Sequence, residues 1–77
     1  MKFVWDRTAK RTYNLRPDMG AVWETLYSEW VAVVKVDCIT TRIGVAPSQA
    51  AAKQLVERYW LAAAAMVDAA RKGERNE

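Results

Sequence analysis

The chain has 77 residues, 52% of them hydrophobic and 27% charged, with a formal net charge of +3. That length allows one domain with a thin core, since so short a chain buries only about 60% of its unfolded surface, and the composition excludes intrinsic disorder. The absence of histidine removes Ser-His-Asp and Cys-His catalysis in their usual forms, and a single cysteine, Cys38, excludes an internal disulfide and a structural zinc site.

In chain order, Lys2 to Trp5 and Arg11 to Leu15 are short strand candidates, with Asp6 to Lys10 turning the chain between them. Arg16-Pro17-Asp18-Met19-Gly20 is a stronger breaker, because proline presets φ and glycine tolerates a positive φ. Val22 to Tyr27 and Trp30 to Val36 form a hairpin about Ser28-Glu29, and Asp37-Cys38 turns into a last strand, Ile39 to Val45. Trp30 to Val45 is rich in Val, Ile and Thr, whose stiff branched side chains suit a pleated sheet. Trp30, Ala32, Val34 and Val36 alternate with Val31, Val33 and Lys35, so both faces of that strand are apolar and it belongs at the centre of the sheet. A rival reading of residues 19–36 exists. Met19, Val22, Trp23, Leu26, Trp30, Val33 and Val34 also recur at helical spacing, with Asp18 as a cap.

The composition switches at Pro47. From Ser48 the chain is dominated by Ala and unbranched residues, which lose least in a helix. Ser48 is a good N-cap, Arg71 and Lys72 suit the negative end of the dipole, and Gly73 is placed for a C-terminal stop. The expected arrangement is therefore one domain, with a sheet over 1–46, a helix over 48–72 and a frayed tail over 73–77. Ala52, Leu55, Val56, Tyr59, Ala63, Met66, Val67 and Ala70 form one apolar stripe that packs on the sheet. At 1.5 Å per residue the helix is roughly 36 Å long, against about 20 Å for a strand of six residues, so it overhangs its sheet or crosses it diagonally. Leu61, Ala64 and Ala65 fall on the outer face and make a patch for a second copy of the chain. The fold class is α+β: a small antiparallel sheet of four to five strands, then one long C-terminal helix on one face.

Lys2, Arg7, Lys10, Arg11 and Arg16 face only Asp6 in the first sixteen residues, so the N-terminal segment carries the positive excess. Four Trp and three Tyr are more than one helix covers, which sends one or two of them to a contact surface. The candidate binding residues are Arg7, Lys10, Arg11, Arg16, Trp23, Trp60 and Leu61. No metal or cofactor motif is present: the three glycines are isolated and the carboxylates form no recognisable pair. The lone thiol fits a reducing cytoplasm. The N-terminus has no signal-like apolar run, and Leu61 to Val67 is far short of a membrane span.

Three resemblances bear on function. Ile39, Ile43, Gly44, Val45, Ser48 and Gln49 resemble a helix-turn-helix, in which Ser48 and Gln49 would open the recognition helix. The segment from Val31 to Leu55 resembles the last two strands and helix of a double-stranded-RNA-binding domain, whose helix-start lysines grip phosphates; only Lys53 keeps that residue type here. Over nearly the whole chain, Trp5, Tyr13, Trp30 and the Pro47-to-Lys53 run resemble small sheet-plus-helix proteins of phages and mobile elements, some of them anti-CRISPR inhibitors. That last likeness implies a non-enzymatic protein-binding module that occludes a larger nuclease or nucleoprotein complex in the host cytoplasm. The alternative is a small nucleic-acid-binding accessory or regulatory protein that uses the basic hairpin on phosphates.

Overall fold

The computed structural model describes residues 2–75, and side chains for residues 2–67. Five strands precede one helix: β1 (Trp5–Ala9), β2 (Thr12–Leu15), β3 (Gly20–Glu24), β4 (Trp30–Val36), β5 (Ile39–Ala46) and α1 (Gln49–Arg75). The strands form an antiparallel meander in sequence order, and the fold is α+β with the helix packed across one face. The rival helical reading of residues 19–36 is overturned, because β3 and β4 occupy most of that stretch and pair with each other from Gly20↔Val34 to Glu24↔Trp30. Branched side chains buried on both faces of β4 outweigh the helical spacing there.

Strand parity assigns the faces. Trp5, Tyr13, Leu15, Val22, Ala32 and Val34 meet the helix, where Leu15, Val22, Ala32 and Val34 are buried together with Ala46, Ala52 and Val56. Ala21, Val31 and Val33 are buried on the opposite face beneath Trp23. β4 is thus an interior strand, apolar on both sides as its sequence predicts, although β3 rather than β4 stands at the centre of the sheet.

Two strand boundaries differ from expectation. β1 begins where Lys2 to Trp5 was expected to end, and the expected turn Asp6 to Lys10 is mostly strand. The turn is only Lys10-Arg11, and it lacks glycine. Arg7 compensates by donating from Nε to the Ala9 carbonyl (3.4 Å) and from Nη2 to the Lys10 carbonyl (3.1 Å). β3 starts at Gly20 and ends at Glu24, so residues 25–29 form a longer loop than the expected Ser28-Glu29 turn. Gly20 does not act as a positive-φ turn residue. It is buried at a close approach: a Cβ there would lie 2.6 Å from the Val33 carbonyl oxygen and 3.0 Å from Val56 Cγ1. The Asp37-Cys38 turn forms as expected, with φ of 51° and 66°, the left-handed pair that a two-residue hairpin demands.

The helix start follows the sequence. Ser48 Oγ accepts from the Ala51 amide at 3.2 Å, and the first helical residue is Gln49. The helix continues through Gly73 to Arg75, past the expected stop, and residues 76–77 of the expected tail lie outside the described residues. Aromatic residues of β1 and β2 grip its first turns. Trp5 Nε1 donates to Glu57 Oε2 at 2.9 Å, and Lys53 Nζ sits 4.1 Å from the Tyr13 ring centroid and 5.6 Å from that of Trp5. At the far end of the sheet Trp60 Nε1 donates to the Met19 carbonyl at 3.0 Å. Beyond Trp60 the apolar stripe no longer finds sheet beneath it: Met66 is 73% exposed and Val67 52%. The helix of 27 residues is about 40 Å long, and a strand of 7 or 8 residues reaches only about 25 Å. The molecule is accordingly elongated, 53 × 21 × 21 Å.

Candidate protein-binding surface

The seven candidate residues do not form one cluster. Arg7, Lys10 and Arg11 sit together at the β1–β2 turn. Arg16 lies at the opposite end of β2 and pairs with Asp6 across the β1–β2 pair. Trp23 is half-buried on the sheet face away from the helix, packed on Ala21, Val31 and Val33. Trp60 is half-buried against the core and hydrogen-bonded to Met19, which makes it a fastener of the helix. Leu61 is half-exposed on the outer helix face, beside exposed Ala65 and half-buried Ala64.

The basic turn does have a neighbour that the sequence did not suggest. The Glu24 amide donates to the Arg11 carbonyl at 3.0 Å, and Arg11 Nε pairs with Glu24 Oε1 at 3.2 Å. These contacts fasten the β1–β2 turn beside the β3–β4 loop. That loop is ordered by its own hydrogen bonds. The Thr25 amide donates to the Glu29 carbonyl at 2.7 Å, the Ser28 amide to the Thr25 carbonyl at 3.2 Å, and the Tyr27 amide to Thr25 Oγ1 at 3.2 Å. Ser28 takes a positive φ of 62° to close it. The result is a closed loop that holds two large apolar side chains outward: Leu26 is 96% exposed and Tyr27 85%. One end of the molecule therefore presents Leu26, Tyr27, Lys10 and Arg11 on two linked hairpin ends.

Sequence reasoning missed Leu26 and Tyr27 by extending a strand through them. The available signal was Thr25 two residues before Tyr27. A threonine hydroxyl there bonds the backbone locally and stops a ladder.

Other features of the surface bear on the nucleic-acid alternative. The segment Ile39 to Val45 lies in strand β5, so the first helix of a helix-turn-helix is not formed. Lys53, the residue that the double-stranded-RNA-binding likeness would aim at phosphate, is half-buried over the rings of Tyr13 and Trp5. Arg7 is engaged with turn carbonyls, and Arg11 and Arg16 with carboxylates.

Among the described residues no group of His, Cys, Asp and Glu side chains is placed to hold a metal ion, and no helix is long and apolar enough to cross a membrane. No family model, curated protein or solved structure matches the chain.

Proposed function

We propose that the protein is a protein-binding module and that its contact end is the pair of hairpin ends carrying Leu26, Tyr27, Lys10 and Arg11. The observation that supports this reading is the closed β3–β4 loop. Folding gains nothing from holding Leu26 and Tyr27 almost wholly in water. An ordered loop also gives up little conformational entropy when a partner pocket takes those side chains up. Tyrosine is among the residue types most enriched at binding hot spots. Lys10, beside the Arg11–Glu24 ion pair, would favour an acidic group on the rim of an apolar pocket.

In its most concrete form the reading is occlusion of a larger nuclease or nucleoprotein complex, the action implied by the likeness to small phage inhibitors of the anti-CRISPR type. The test has two levels. Immobilised wild type should retain a partner after nuclease treatment, and a Leu26→Ser/Tyr27→Ser variant should lose it with its melting temperature unchanged. Retention that disappears with nuclease, together with salt-sensitive binding of generic duplex, would transfer the reading to nucleic acid. Plating of a phage under CRISPR immunity, with and without the wild-type chain expressed, tests the finer form. Restored plating supports inhibition, and unchanged plating removes it.

A further inference from the structure

The sheet has two open edges, β1 and β5. β1 is blunted: it has five residues, carries Asp6 and Arg7, and bulges between Arg7 and Ala9. β5 has eight residues, no proline, and Arg42 as its one charge. It pairs with β4 alone, and no described residue bonds its outer side. The Lys35 amide donates to the Met19 carbonyl at 3.0 Å, away from β5. Thr40 lies opposite Lys35, so its N–H and C=O turn outward, and so do those of Arg42 two residues on. The strand runs regularly to Arg42, and the bulge before Gly44 ends that stretch. Ile39, Thr41 and Ile43 stand on the helix side, where with Tyr59 they line a cleft of about 270 Å³ that ends at Asp37 in the turn.

We propose that β5 pairs with β5 of a second copy, antiparallel about a two-fold axis at Thr41, so that the two sheets join into one. A row of unpaired N–H and C=O groups specifies an extended strand as its occupant. The side chains of β5 fit their own copy. With Thr41 opposite Thr41, the backbone of Thr40 exchanges hydrogen bonds with the partner's Arg42, and Ile39 meets the partner's Ile43 on the helix side. Each guanidinium then faces a neutral hydroxyl, and branched or Thr–Thr pairs directly opposite are favourable. Centring on Arg42 instead sets like charges opposite each other, and centring on Thr40 puts Arg42 against the turn at Cys38. The helices leave room for the pairing. α1 lies over β3, β4 and β5, and the β4 strands of the two copies would be three strand spacings, about 14 Å, apart. That exceeds the separation of about 8–10 Å between packed helices. The two clefts then face each other across the seam, where Ile39, Ile43 and Tyr59 of both copies fill the space between the helices. Asp37 is exposed in the turn, beyond the paired stretch, and keeps its water. With about four backbone hydrogen bonds and a short seam, the dimer is weak.

Sedimentation velocity of the full chain, from low to high micromolar concentration, tests the pairing and its register. Wild type should pass from monomer to dimer. Thr40→Pro deletes an outward N–H, which an edge strand tolerates, and its ring blocks an incoming strand. That variant should stay monomeric throughout and keep the wild-type circular dichroism. Thr40→Glu sets a carboxylate opposite the partner's Arg42 twice over and should tighten the dimer by roughly threefold to tenfold, whereas Thr40→Lys should loosen it by a similar factor. Leu61→Glu, on the outer helix face, should leave it unchanged. A wild-type chain that stays monomeric at high micromolar concentration would overturn the proposal and leave the edge to a strand of another protein. So would a dimer that survives Thr40→Pro, one that responds alike to Thr40→Glu and Thr40→Lys, or one that Leu61→Glu dissociates.

Discussion

The two halves of α1 share one apolar stripe and have opposite situations. From Gln49 to Trp60 the apolar stripe lies on β3, β4 and β5, with Ala52 and Val56 fully buried and Lys53, Glu57 and Trp60 fastened to the sheet by polar contacts. From Leu61 to Val67 the stripe keeps its spacing but has no sheet under it, and its large side chains are exposed. Periodicity therefore reports which face of a helix is apolar and is silent on whether the chain owns a surface to cover it. Strand length decides that. Strands of 4 to 8 residues end under Trp60, and the helix does not.

The contrast can be broken at its most closely packed point. Gly20→Val should be the most damaging substitution, because its side chain would be driven into the Val33 carbonyl and Val56. Overpacking of a close-packed site costs about 1–3 kcal/mol and occasionally more, a large share of the stability of so small a domain. Chemical denaturation should show a lost or severely weakened transition. Val56→Ala opens a cavity under the proximal half and should cost about 2 kcal/mol in the same measurement. If either were neutral, the proximal half would not be the part that holds the fold together.

A change in the opposite direction is expected at the turn beneath the root of the overhang. Cys38 sits in the left-handed region at a φ of 66°, where a side chain is strained and glycine is not. Cys38→Gly should stabilise by about 1 kcal/mol, or about 4–8 °C in melting temperature for a domain of this size. The smallest effect belongs to the distal stripe. Met66→Ser should change the stability of the dilute monomer by less than about 0.5 kcal/mol, although Met66 occupies the same stripe as Val56. Calorimetry on Val56→Ala and Met66→Ser in parallel sharpens the comparison to two residues of one face.

Much of the fold was legible in the residues. The Pro47-Ser48 junction, the interior position of β4, the Asp37-Cys38 turn and the overhang of the helix all follow from local composition, capping and simple lengths. The boundaries of β1 and β3 were not legible, because they depend on contacts remote in sequence. Trp5 is drawn to Glu57, 52 residues away, and Gly20 is placed by the approach of Val56. The candidate surface was half legible. Charge counting found Lys10 and Arg11 but grouped Arg16 with them, because strand length had not yet separated the two ends of β2. Trp60 reads as an interface residue by type and serves the core through its indole N–H. Leu26 and Tyr27 read as strand by type, and only the closure of the 25–29 loop turns them outward.

Amide hydrogen exchange along α1 tests most directly whether the distal half is left uncovered by its own sheet. Amides of residues 54–60 should exchange only with global unfolding. Amides of residues 63–67 should exchange faster, through local opening of the uncovered half. Equal protection along the whole helix would contradict the account.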